Sequence, residues 1–185
     1  MLAGYAFAKL HFKGRDRIFQ TLLAALVIPG QISMLPLFLI LKSMGLVNSY
    51  AGVLVPSMVS IFGIFLVRQY AISVPTAMLE AARLDGAGEW QIFWRIVLPL
   101  LRPVLVTLAL LTFLGSWNDF MWPLIVLNDS DRQTLPLAVA NMAREHVQDT
   151  ELMMASSVLT VLPILLLFLF LQKHYLRGLT LGAVK

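Results

Sequence analysis

The chain has 185 residues, 59% of them hydrophobic and 13% charged, with a mean hydropathy of +0.82 and a net charge of +4. Soluble domains carry about a quarter charged residues, so an ordinary soluble domain is excluded, and the basic residues fall between apolar runs rather than on the solvated face a nucleic-acid binder needs. With no cysteine, disulfides, thiol catalysis and thiolate metal sites are excluded, and His11, His146 and His174 stand in separate polar segments without metal-ligand spacing.

In chain order, "MLAGYAFAKLHFKGRDR" puts apolar residues first and charges last. That order is the reverse of a secretory signal and reads as the inner end of a membrane span whose beginning is absent. Four segments are then long enough to cross a bilayer as helices, which takes roughly 20 apolar residues: 18–41, 52–71, 104–126 and 153–171. The first contains Pro29, Gly30, Gln31, Ser33 and Pro36, which predicts a kinked helix packed among others. Pro56 and Pro163 are read as packing features of their spans.

Between the second and third spans lies a polar segment, 72–103. Thr76 to Leu84 holds good helix formers behind Pro75, and Gly86 falls where a helix stops. Leu79, Ala82 and Met78 share one face, and Glu80 and Arg83 form an expected i,i+3 pair. "GEWQIFWRIVLP" then predicts a second helix whose Trp90, Phe93 and Trp94 suit a membrane interface. The expected geometry is a helix–turn–helix elbow at the membrane face. After the third span, the loop 128–151 carries the stripe Leu135, Leu137, Val139 and Met142, read as a small surface helix or a contact for an outside partner.

Lysine and arginine set the orientation. Lys9, Lys13, Arg15, Arg17, Arg68, Arg83, Arg95, Arg102, Lys173, Arg177 and Lys185 fall on one side, against Lys42, Arg132 and Arg144 on the other. This places both termini and the elbow in the cytoplasm.

Glu80, Ala81, Ala82, Gly86, Ile96, Leu98 and Pro99 match EAA-x3-G-x9-I-x-LP without exception. The chain thereby resembles the permeases of binding-protein-dependent ABC importers. "AGYAFAKLHFKGRDRIFQ", "GSWNDFMWPL" and "YLRGLTLGAVK" are similar to segments of the carbohydrate type, close to the second membrane subunit of maltose-type permeases. The resemblance implies an all-α membrane protein, a polytopic helical bundle of the ABC type I importer permease fold. About four complete spans plus the end of a fifth would form a single permease domain over 1–185, with 72–103 as its coupling loop. Because the family normally has six spans, an N-terminally truncated chain is expected.

The same resemblance makes the elbow a coupling helix docked on a cytoplasmic ATPase dimer. Glu80 would be the charged anchor, Ala81 and Ala82 the close-packing surface and Gly86 the turn, with Leu84 and Asp85 beside them. The chain has no G-x-x-x-x-G-K-[ST] loop, so it is expected to bind no cofactor itself, with ATP and Mg on the ATPase. A second permease subunit, an extracytoplasmic solute-binding protein and membrane lipid complete the implied partners; nucleic acid is not among them. The implied location is a bacterial or archaeal plasma (inner) membrane. Tail residues Arg177, Gly178, Thr180 and Lys185 would reach the ATPase or the membrane surface.

Within "LGSWNDFMWPLIV", an ionised aspartate at the centre of a span costs about 2.5–3.5 kcal/mol. Trp117, Asn118 and Asp119 fit a sugar path, the ring stacking on sugar and the amide and carboxylate bonding hydroxyls. Equally, Asp119 could sit hydrated at the outer boundary with Trp117 and Trp122 as interfacial anchors. An ion-coupled secondary transporter titrating Asp119 is the alternative function. An intramembrane enzyme lacks a visible nucleophile–base pair.

Overall fold

The computed structural model describes the backbone of residues 1–145 and 150–183 and the side chains of 1–142 and 150–170. His146 and Lys185 lie outside the described residues, as do the side chains of Arg144, Lys173, His174, Arg177 and Thr180, and the tail position Gly178 falls in the same segment. Every regular element among the described residues is helical. In order they are α1 (Leu2–Lys9), α2 (Arg15–Ala25), α3 (Gly30–Ser43), α4 (Tyr50–Ser57), α5 (Ile61–Ile72) and α6 (Thr76–Leu84). Then come α7 (Glu89–Ile92), a π-helical turn (Phe93–Val97), α8 (Leu98–Leu100), α9 (Arg102–Trp117), α10 (Met121–Val126), a 3-10 turn (Ser130–Arg132), α11 (Leu135–Glu145) and α12 (Thr150–Ala183).

Tyr50–Ile72 and Thr150–Phe170 are long and apolar enough to cross a membrane, with mean hydropathies of 2.1 and 2.4. Counting Arg15–Ala25 with Gly30–Ser43, and Glu89–Leu100 with Arg102–Trp117, as one bent span each gives up to four among the described residues. The expected first span is therefore two helices rather than one kinked helix. Leu26, Val27 and Ile28 donate their N–H groups three residues back, to Leu23, Ala24 and Ala25, which tightens the last turn. Pro29 follows with no N–H to continue the ladder. The expected third span breaks likewise after Trp117.

The chain forms two compact units. The first comprises Met1–Pro29 and Val59–Leu110. Its core is built from Tyr5, Val67, Ala71, Val74, Leu79, Ile92, Phe93, Val97, Leu101 and Val104. Helix α1 lies so close on α5 that a Cβ on Gly4 would stand 2.7 Å from Val67 Cβ, the close approach that small residues permit between membrane helices. Arg68 holds its guanidinium 4.1 Å from the centre of the Phe19 ring and donates to the Phe7 carbonyl at 3.3 Å, a cation–π contact. Lys9 donates its ammonium to the carbonyls of Ile72 and Val74, the cationic complement to a helix C-terminus. Phe93 departs from the expected interfacial belt. It is 3% exposed and meets Tyr5 at 5.4 Å between centroids, because the π turn points it inward, while Trp90 and Trp94 stay exposed.

The second unit comprises Gly30–Met58 and Leu111–Lys185, with Leu41, Trp122, Val126 and Leu127 at its core. Trp122 is 7% exposed and its Nε1–H is donated to the Gly52 carbonyl at 3.2 Å, so it is a core residue and not an interfacial anchor. Asn48, at φ +58°, clasps the loop after α10. Its Oδ1 accepts from the N–H groups of Asn128 and Asp129 at 3.1 Å each, and its Nδ2 donates to Asp129 at 2.7 Å. Asparagine tolerates this left-handed backbone. Ser49 caps α4 by accepting from Gly52 N–H, as Ser60 in the first unit caps α5 by accepting from Gly63 N–H. The apolar stripe of this loop lies on a helix, α11, with Leu137 buried and Met142 exposed.

Candidate functional site

Two features collect the polar chemistry of this apolar chain: the elbow in the first unit and a cavity in the second. The elbow begins where Pro75 occupies the N-cap of α6 and ends in a Schellman turn. Gly86 N–H bonds the Arg83 carbonyl at 3.0 Å and Ala87 N–H the Ala82 carbonyl at 2.9 Å. Gly86 has φ +82° with nothing within 4 Å of an added Cβ. Glycine is needed there for its backbone and not for space. Gln91 Oε1 accepts from Gly88 N–H at 3.2 Å, which starts the next helix.

On α6, Leu79 is buried and Ala82 packs against the same core. Glu80, Ala81, Leu84, Asp85 and Gly86 are exposed, Leu84 at 89%. Met78 is exposed as well, so it does not join the buried face of Leu79 and Ala82. The expected Glu80–Arg83 pair does not form. Arg83 Nε instead donates to Glu89 Oε1 at 2.7 Å, because the turn at Gly86 brings α7 back beside α6. Glu89 Oε2 accepts from the Tyr5 hydroxyl at 3.0 Å. The Arg83 guanidinium, chiefly through this hydrogen bond, holds the Glu89 carboxyl below the usual carboxylate range, and Arg83 is raised in return.

The cavity, of about 470 Å³, is lined by Ser33, Tyr50, Ser57, Ser116, Asp119, Trp122 and Thr134 among apolar residues of α3, α4 and α10. Thr134 Oγ1 is buried without a hydrogen-bond partner among the described residues. Asp119 Oδ1 accepts from Trp122 N–H at 3.3 Å, one of the donors left free in the first turn of α10. Trp117 and Asn118 do not line this cavity. Trp117 Nε1 donates to the Thr160 carbonyl at 3.0 Å and its ring stacks on Phe113 at 5.5 Å. Asn118 Nδ2 donates to the Leu114 carbonyl at 2.9 Å. A wall of hydroxyls with one carboxylate and one indole has the donors, acceptors and aromatic face that hydroxylated molecules bind.

Sequence reasoning overlooked Tyr5, Lys9 and Glu89 around the elbow, and the hydroxyl residues around the cavity. The available signal was an acid opening a helix, favourable at its N-terminus, and isolated Ser, Thr and Tyr residues inside apolar runs.

A family model described as "Binding-protein-dependent transport system inner membrane component" matches residues 1–181. The arabinooligosaccharides transport system permease protein AraQ of Halalkalibacterium halodurans is 43% identical over 184 residues, covering 100% of this chain and 66% of that protein. The lactose transport system permease protein LacG of Rhizobium radiobacter is 36% identical over 184 residues, covering 100% and 67%. A solved bacterial ABC transporter involved in the import of the acidic polysaccharide alginate has a similar fold. Its TM-score is 0.68 at 25% identity, covering 98% of this chain and 66% of that one. This chain thus spans about two thirds of the length of the curated relatives it matches.

Proposed function

The chain belongs to the family of binding-protein-dependent transport system inner membrane components, and from that premise we propose that it is the membrane-spanning permease subunit of an ATP-driven importer. Its cargo is a carbohydrate or a related polyol, delivered by an extracytoplasmic binding protein. Its similarity to permeases named for arabinooligosaccharides and lactose supports that class. A second permease completes the membrane part, and a separate ATPase dimer binds ATP and Mg. The side that carries eleven of the fourteen lysines and arginines is cytoplasmic.

The observation that carries the coupling is the exposed face of α6. Leu84 stands 89% exposed beside Glu80, Ala81 and Asp85, on a helix whose opposite face is anchored by Leu79. A large apolar side chain presented in this way, ringed by acids and a small alanine, fits a socket on another protein. Glu80 meets a basic group there, and Ala81 allows close approach. Ala82 serves the same helix from behind, within the unit's own core. A short rigid helix in a socket moves with its partner.

The experiment expresses Glu80→Lys, Leu84→Asp and Gly86→Val in the assembled importer. Each releases the ATPase from the membrane and abolishes uptake. Normal co-purification and normal uptake in all three would falsify the docking role.

A further inference from the structure

One carboxylate outside the EAA-x3-G-x9-I-x-LP spacing ties the elbow to its unit. Glu89 opens α7, and its two oxygens serve two different helices: Arg83 on α6 at 2.7 Å and Tyr5 on α1 at 3.0 Å. Tyr5 is itself buried against Phe93, and α1 is seated on α5 through Gly4 and Val67. We propose that Glu89 is a positioning residue for transmission, a strut that passes displacement of α6 to α1 and thence to α5. The proposal rests on the reading of α6 as the ATPase-docking helix.

The turn that joins α6 to α7 makes such a strut necessary. Gly86, Ala87 and Gly88 place two glycines in three residues, a compliant stretch of backbone. Motion imposed on the exposed face of α6 would otherwise be absorbed there. The remaining attachment on α6 is apolar, Leu79 with Ala82 in the core, and apolar contact is non-directional. The charge-assisted bond between Arg83 and Glu89 fixes distance and direction together. Arg83 also sits three residues after Glu80, so the strut joins α6 within one turn of its proposed anchor.

The test uses the complete importer in proteoliposomes, with its ATPase and binding protein. Tyr5→Phe, Glu89→Ala and the double substitution are compared with the unsubstituted complex. Two quantities are read: ATPase retained per permease, and solute moved per ATP hydrolysed. All three variants retain the ATPase. In Glu89→Ala the transport-to-hydrolysis ratio falls about fivefold or more, the lower end of usual coupling factors, and in Tyr5→Phe it falls by a similar factor, since the two bonds act in series and losing either one breaks the link to α1. The double variant is no worse than Glu89→Ala alone, because both act on one link.

An unchanged ratio in both single variants overturns the strut, and so does an additive double variant. Loss of the ATPase from the variants also overturns it, since Glu89 would then belong to docking itself. If Glu89→Ala fails to reach the membrane, Tyr5→Phe, which removes a single hydroxyl, decides. Glu80→Lys and Leu84→Asp form a separate arm. If both keep the ATPase bound and uptake intact, it is the docking reading that fails, whatever the strut variants do.

Discussion

The indole N–H of Trp122 replaces, at the carbonyl of Gly52, a backbone donor that α4 cannot supply. In a continuous helix that carbonyl accepts from residue 56, and residue 56 is proline, which has no N–H. Trp122 Nε1 reaches it at 3.2 Å, as a group freed inside an apolar unit requires.

Trp122→Phe therefore lowers stability by about 1–3 kcal/mol through the unpaired carbonyl, read as a drop in the thermal midpoint of purified protein in detergent. In a Pro56→Ala background the amide of residue 56 returns, and the same substitution costs less. The packing lost with the larger ring is common to both backgrounds, so the difference isolates the hydrogen bond. Equal costs in the two backgrounds would refute the pairing.

Two glycines respond to alanine with opposite signs. At Gly4 the new Cβ meets Val67 Cβ and Cγ1 at 2.7 Å and the Ile64 carbonyl at 3.0 Å, so α1 must lift from α5 at a cost of about 1–3 kcal/mol. At Gly115, inside α9, nothing lies within 4 Å, and alanine adds up to about 1 kcal/mol of helix preference. Thermal midpoints of Gly4→Ala and Gly115→Ala should move down and up respectively.

The Arg83–Glu89 bond has a defined pH dependence. Its carboxyl titrates lower in the folded protein than in the unfolded chain, with Arg83 the chief cause and Tyr5 assisting; Glu80 is the other acid that acts on Arg83. The contribution is complete above the unfolded carboxylate value of about 4.3 and is lost as pH falls through the lower, folded value. Both side chains are more than a third exposed, at 38% and 47%, so the contribution is that of a surface pair, about 0.2–1 kcal/mol. The midpoint gap between the unsubstituted protein and Glu89→Gln is present at neutral pH and closes in acid. A gap that widens in acid contradicts the assignment.

Asp119→Asn separates charge from structure at the cavity. Asparagine keeps a side-chain oxygen at the same place, so the bond to Trp122 N–H survives and the thermal midpoint stays put. If Asp119 lines the solute path, as the hydroxyl-rich wall suggests, half-saturation for uptake rises while protein abundance is unchanged. Unaltered uptake kinetics would remove Asp119 from the path.

The elbow was legible almost to the residue because its limits are local chemistry: Pro75 before α6, and Gly86 with a positive φ after it. The apolar segments were legible for the same reason. Interruptions within them were harder to place, since Pro29 and Pro56 announce a disturbance but not whether the chain kinks, stops or borrows a donor from elsewhere. Arg83 has Glu80, Asp85 and Glu89 near it in sequence. Spacing along a helix favoured Glu80, whereas the reversal of direction at Gly86 delivered Glu89. Trp122 and Phe93 look like interfacial aromatics in any one-dimensional reading, and only contacts with Gly52 and Tyr5, 70 and 88 positions away, draw them inside.

Lys9 has a consequence beyond capping α5. It follows Tyr5 by one helical turn on α1, so the two share a face. Lys9 grips the backbone on the way into the elbow, at Ile72 and Val74, and Tyr5 reaches Glu89 on the way out. A bracket hung from two pegs on a single rod can rock when the rod rocks but cannot swivel about either peg. If α6 is the docking helix proposed above, that mounting passes a push on the elbow to α1 as tilt of the whole rod.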